Sequence, residues 1–150
     1  MTTTISDNFH ILQSGVVHAL EQVVPLQQKD VKMDPISSEI PIQYGVLVGV
    51  TGAMKGKILY KGDISLFRAL GEMMFGMALE GDMLKSFTGE LGNMISGGLC
   101  TYVSTKDIVI DITAPTIMDG NSSISGFKEA YQLSILFDNQ EKLYVAILID

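Results

Sequence analysis

Residues 86–99 read Ser86-Phe-Thr-Gly-Glu90-Leu-Gly-Asn93-Met-Ile-Ser-Gly-Gly98-Leu99. At about 100° per residue, a helix through this stretch places Phe87, Leu91 and Ile95, with Tyr102 beyond, on one face. Ser86, Glu90, Asn93 and Gly97 fall at i, i+4, i+7 and i+11 on another face, which is polar and small. A carboxylate and a carboxamide one turn apart therefore point the same way, outward from the core. Four glycines, Gly89, Gly92, Gly97 and Gly98, interrupt the helix. Each costs roughly 0.8–1 kcal/mol against alanine in a helix interior, so close packing or close approach must offset them. Gly92 and Gly98 lie nearer the core face. Gly89 and Gly97 flank the Glu/Asn stripe, where missing side chains let a partner come close.

The pair itself limits the chemistry. An amide both donates and accepts, so it can hold and orient a water. A carboxylate can act as a base or meet a cation. Neither is a nucleophile activated by histidine. Glu90 and Asn93 read as a water-positioning pair rather than a self-sufficient active site, and on spacing alone a plain solvated helix face has the same pattern.

Outward from this helix, residues 7–24 read as a helix capped by Asp7, with Phe9, Leu12, Val16, Leu20 and Val23 on one stripe and Pro25 beyond its end. Residues 26–38 read as loop with at most a short strand. Residues 39–62 form a hairpin turning at Gly52-Ala-Met-Lys-Gly56. Asp63 caps a helix to about Met77, with Leu66, Phe67, Leu70, Met73, Met74 and Met77 facing inward, and Gly76 and Gly81 bracket a break. The long helix spans about 82–104. A strand covers 107–113, 116–126 is a loop, and strands 128–137 and 141–150 form a final hairpin around Asp138-Asn-Gln140. The fold class is α+β, an antiparallel β-sheet packed against two long helices plus a shorter one. Two related halves are hinted at, with Pro35 and Pro115 in corresponding places.

Composition narrows the function classes. The chain has 150 residues, a net charge of −7, ten Lys and Arg in all with Arg68 the single arginine, and 47% apolar residues. This is one domain, 1–150, with a mean hydropathy of +0.30 that excludes intrinsic disorder. No basic footprint exists for nucleic acid or for an anionic membrane surface. One cysteine, Cys100, forms no internal disulfide and no cysteine-based zinc site, which fits a reducing cytosol. His10 and His18 are too few for most metal constellations, and no metal ligand is assigned. No run of 18 apolar residues is present and the first residues do not read as a signal peptide, so a cytoplasmic protein is expected.

The stretch Glu90-Leu-Gly-Asn93-Met-Ile-Ser-Gly, with Ser86 ahead and Asp111-Ile-Thr-Ala-Pro115-Thr behind, resembles the CheC/CheX family of chemotaxis phosphatases. Asn93 and Pro115 are separated by 21 residues, one short of the family's usual spacing. Gly49-Val-Thr-Gly52 with Gly56 in the first hairpin is also similar to the family. The likeness runs from the first helix to the last hairpin and implies a CheC-like fold with pseudo-symmetric halves. The two-site branch carries the motif twice. Here an 80-position shift, that between Pro35 and Pro115 (115 − 35), sets Ser6, His10 and Gln13 against Ser86, Glu90 and Asn93, a degenerate half-site. The chain thus resembles the one-site CheX branch.

The resemblance implies a phosphatase acting on the aspartyl phosphate of a CheY-type response regulator. Glu90 would pair with the regulator's lysine and Asn93 would orient the attacking water. Ser86, Gly89, Met94 and Gly97 would line the partner-binding face. The chain itself would bind no cofactor, and the magnesium would sit on the regulator. The alternative is a non-catalytic CheX-like domain that docks on a regulator or a flagellar switch component. A small-molecule hydrolase lacks a nucleophile, a metal site and a nucleotide loop. The last strand, Lys142 to Asp150, is apolar on both faces, so it is either central or pairs across a homodimer, and the resemblance favours the homodimer. The methionines Met73, Met74, Met77, Met83 and Met94 read as core filling, with Met94 the one candidate for a partner surface.

Overall fold

A computed structural model describes the backbone of residues 5–150 and the side chains of residues 9–150. The elements are α1 (Ile5–Val23), β1 (Gln28–Ile36), β2 (Ile40–Gly52), β3 (Gly56–Lys61), α2 (Ile64–Phe75), α3 (Gly81–Ser104), β4 (Ile110–Ile112), β5 (Thr116–Ile124), β6 (Glu129–Phe137) and β7 (Lys142–Ile149). They form one antiparallel sheet in the order β1-β6-β7-β3-β2-β4, with β5 also paired to β2. The three helices share one apolar core with the sheet. Phe9, Leu12 and Val16 of α1, Leu66, Phe67 and Leu70 of α2, and Phe87, Leu91, Ile95 and Leu99 of α3 meet Val46, Ile58, Leu133 and Val145. Leu59 and Ala146 alternate with those core residues and point to the other face. There Ile40, Ile42 and Leu148 join them, with Ile36, Ile124 and Phe127 packed alongside.

The α+β class and both hairpins stand as expected. Four local readings do not. Residues 28–36 are a full strand, not loop, and 116–124 are another. Both are edge strands rich in charged or small polar residues. β1 pairs with β6 and β5 with β2, so their extended form is imposed by the neighbour's unpaired N–H and C=O groups rather than by local propensity. Pro35 is tolerated because it lies near the end of an edge strand. The 107–113 strand shrinks to Ile110–Ile112. Asp107 takes φ 61° and Ile108 N–H bonds the Val103 carbonyl at 3.1 Å, so the chain is still turning out of α3 there. The first helix starts at Ile5, so Asp7 lies inside it rather than at its cap, and the Asp7 side chain lies outside the described residues. Asp63 does hold the N-cap position of α2, but its side chain makes no capping bond. Gly76 closes α2 in the left-handed region at φ 72°, its N–H on the Glu72 carbonyl at 2.8 Å.

The two halves are visible in the register. The β2–β3 pairs Gly45↔Lys61 and Val50↔Gly56 correspond to Tyr131↔Ile147 and Leu136↔Lys142 in β6–β7. At the junction Leu59↔Ala146 and Tyr60↔Val145 exchange with each other. The outer strands cross over, β1 onto the second hairpin and β5 onto the first. Pro35 and Pro115 are not equivalent, since one lies near the end of β1 and the other just before β5. In the helices, a Cβ on Gly15 would meet Leu99 and Tyr102, and one on Gly98 would meet Ala19. These reciprocal approaches make Gly15 and Gly98 counterparts. Asp7 and His10, rather than His10 and Gln13, then stand opposite Glu90 and Asn93. Ser6, like Asp7, has its side chain outside the described residues.

β7 lies between β6 and β3. Its two apolar faces are those of a central strand, and the strand that raised the homodimer expectation has both edges occupied within the chain. No helix among the described residues is long and apolar enough to cross a membrane.

Candidate functional site

The helix α3 is clamped to the sheet along one seam and open along another. Thr88, Gly92 and Ser96, at i, i+4 and i+8, form the seam. The Thr88 hydroxyl donates to the Leu84 carbonyl at 2.8 Å and shares a 2.8 Å hydrogen bond with the Tyr44 hydroxyl of β2. The Tyr60 hydroxyl of β3 shares a 2.8 Å bond with Ser96. Between them Gly92 lies so close to the sheet that an added Cβ would meet Val46 Cγ1 at 2.8 Å. Thr88 and Ser96 are fully buried, and each of these hydroxyls has a partner, as buried polar groups require. Burial pushes the phenol of Tyr44 up from its ordinary value and that of Tyr60 much further, so both stay neutral hydrogen-bonding groups.

This seam aims the opposite stripe outward. Ser86 and Glu90 are exposed, and Asn93 and Gly97 are half-buried. Neither the Glu90 nor the Asn93 side chain makes a hydrogen bond or ion pair among the described residues, which leaves a carboxylate and a carboxamide available one turn apart. A nearby cation, Lys85, is taken up by Asp119 of β5 at 3.6 Å. No group of three His, Cys, Asp or Glu side chains among the described residues converges as a metal site.

The glycines sort by surroundings. Gly92 and Gly98 serve close packing, as expected. Gly97 has nothing within 4 Å of an added Cβ and lies open beside Asn93. Gly89 is a correction. It is buried, with Pro115 and Ile117 at 3.5 Å from an added Cβ, so it faces the start of β5 and not an approaching partner. Met94 is half-buried and packs against the core. Met73 and Met77, expected inward, and Met83, read as core filling, are exposed. The core stripe of α2 runs Leu66, Phe67, Leu70, Gly71, which leaves Met73 on the far side, and the helix ends before Met77. Cys100 is half-buried, and burial followed by Asp111 raises its thiol.

The sequence reading missed the tyrosine clamps and an apolar groove of about 520 Å³ beside Glu90, lined by Phe75, Met77, Leu79, Met83 and Phe87 with Asp82 and Ser86. The i, i+4, i+8 spacing of Thr88, Gly92 and Ser96 was a signal for the clamps. Nothing local marked the groove, which forms where the end of α2 meets the start of α3.

The comparisons with known proteins agree with one another. Residues 44–138 match the family described as Chemotaxis phosphatase CheX. The CheY-P phosphatase CheX of Thermotoga maritima is 28% identical over 135 residues, 87% of each chain. Among solved structures, a chemotaxis protein CheX from Desulfovibrio desulfuricans superposes with a TM-score of 0.80 at 18% identity, covering 94% of this chain and 97% of that one. The CheX of a CheX–CheY–BeF3–Mg complex from Borrelia burgdorferi gives 0.76 at 21%, covering 94% and 96%.

Proposed function

The chain belongs to the CheX family of chemotaxis phosphatases, and from that premise we propose that it hydrolyses the aspartyl phosphate of a CheY-type response regulator by presenting the outward stripe of α3 to the phosphoryl group. The observation that carries this reading is the clamp. Tyr44–Thr88, Val46–Gly92 and Tyr60–Ser96 hold one side of α3, and the side left over bears Glu90 and Asn93 with their polar groups free.

In this reading Asn93 uses its carboxamide to hold a water in line with the phosphorus–oxygen bond. Glu90 takes the ammonium of the regulator's lysine and so fixes the two proteins in register. Phosphoryl transfer passes through a loose transition state with charge on the equatorial oxygens, so positioning and electrostatics supply most of the catalysis. With a net charge of −7 and Lys85 paired to Asp119, this chain brings an acid and an amide to the site. The cation and the magnesium are assigned to the regulator, where the metal neutralises phosphoryl charge. The Thermotoga maritima relative named for CheY-P and the Borrelia burgdorferi CheX–CheY complex support a CheY-type partner. Homodimerisation belongs to the same proposal. Its test is sedimentation at micromolar concentration, where a monomer counts against it.

The decisive experiment is decay of a phosphorylated regulator with the wild-type chain and with Asn93→Ala. The expected result is acceleration by the wild type, its loss in the variant, and unchanged far-UV circular dichroism and regulator affinity. Wild-type acceleration by Asn93→Ala would falsify the mechanism. A chain that binds the regulator without speeding decay would instead be a docking domain.

A further inference from the structure

Three of the largest exposed apolar side chains, Phe75 at 62%, Met77 at 54% and Met83 at 56% exposure, line one groove, and Glu90 and Ser86 line it too. Scattered exposed apolar residues need no explanation, but a contiguous patch with a polar rim marks an interaction site. This one is built rather than frayed. Phe75 stands edge-on to the buried Phe87, centroids 5.7 Å apart at 89°, and Gly71 brings Leu79 up to α2, with Leu79 2.9 Å from an added Cβ. Two of the three exposed residues are methionines, which adapt to a partner's contour.

Resting on the function proposed above, we infer that this groove is the docking site for the phosphorylated regulator and supplies the apolar part of its binding. The occupant follows from continuity. Glu90 forms part of the groove wall, so a protein that brings a phosphoryl group to Glu90 and Asn93 covers Met83, Met77 and Phe75 as it arrives. The rim specifies the chemistry of that surface. Asp82 and Glu90 are acidic, so the regulator presents an aliphatic or aromatic patch flanked by a cation beside its phosphoaspartate. The groove then sets affinity, while Asn93 sets the rate.

The test separates the two. CheY-type receiver domains from the same genome, loaded with beryllofluoride and magnesium, are titrated against the wild type, Met83→Ser, Phe75→Ser, Met77→Ser with Met83→Ser, and Asn93→Ala. Decay kinetics with the phosphorylated receivers run in parallel. The groove variants are expected to raise Kd and KM by about tenfold or more while kcat at saturation holds. Met83→Leu, which keeps the apolar surface, stays near wild type. Asn93→Ala shows the reverse split. Unfolding midpoints within the wild-type range confirm that the exposed substitutions leave the fold intact. Unchanged affinity in every groove variant overturns the inference while leaving the Asn93 mechanism standing. A changed sedimentation coefficient with unchanged receiver affinity overturns it in favour of a second copy as occupant. A wild-type chain that binds no receiver overturns both the inference and the reading beneath it.

Discussion

Alanine at Gly92 and at Gly97, five residues apart on the same helix, should move stability in opposite directions. Helix propensity alone favours both substitutions by about 0.8–1 kcal/mol. At Gly97 nothing lies within 4 Å of the new methyl, so the gain is realised in full or nearly so, about 0.5–1 kcal/mol. At Gly92 the methyl would sit 2.8 Å from Val46 Cγ1 and 3.2 Å from Cγ2. Val46 is fully buried and β-branched, so it cannot rotate out of the way. The helix must lift instead, which strains the Tyr44–Thr88 and Tyr60–Ser96 bonds on either side. Overpacking costs about 1–3 kcal/mol, and a 2.8 Å contact with a buried side chain that cannot yield falls at about 2–3 kcal/mol of that range, leaving a net loss of about 1–2 kcal/mol once the propensity gain is subtracted. At about 2–4 °C per kcal/mol for a domain of this size, Gly92→Ala should melt about 2–8 °C below the wild type, and Gly97→Ala a few degrees above it. Urea unfolding with a constant m-value checks that the change lies in stability rather than compactness. If Gly92→Ala proves as stable as the wild type, α3 does not sit on the sheet as described, and the clamp that aims Glu90 and Asn93 loses its central contact.

Other expectations follow from the same helix. Tyr60→Phe leaves the buried Ser96 hydroxyl without its partner and should cost about 1–3 kcal/mol, with part recovered in the double variant with Ser96→Ala. Because burial raises the Tyr60 phenol above its unfolded value, its contribution is complete below about pH 10. It is lost as pH rises above that value, since the unfolded state releases the proton first. The wild type should therefore weaken in alkali more steeply than Tyr60→Phe, as read by chemical unfolding between neutral pH and alkali, and equal slopes would contradict the burial. Cys100, raised by burial and by Asp111, should alkylate more slowly than a free thiol at neutral pH and reach full reactivity only on unfolding.

How much of this was legible in the chain depends on how local each cause was. The stripe Ser86, Glu90, Asn93, Gly97 is a matter of helical period, and it emerged on the outward face because Phe87, Leu91 and Ile95 bury the other. The hairpins at Gly52–Gly56 and Asp138–Gln140 were carried by turn residues beside apolar runs. Gly89 was misread because spacing places it next to Glu90, whereas its neighbour in space is Pro115 at the start of β5. The prolines suggested two halves but were not themselves equivalent. The real correspondence lies in strand register and in the reciprocal packing of Gly15 and Gly98.

The α+β class, the three helices, the paired hairpins and the Glu90/Asn93 stripe were legible in the chain alone, because periodicity and turn chemistry act within a few residues. Tertiary structure alone decided that Gln28–Ile36 and Thr116–Ile124 are strands, since their polar composition becomes extended only when β6 and β2 offer hydrogen-bonding edges. It also decided that β7 is central rather than an edge, that Gly89 is buried, and that Phe75, Met77 and Met83 come together beside Glu90. Those outcomes depend on groups far apart in the chain meeting in space, and no local pattern encodes that meeting.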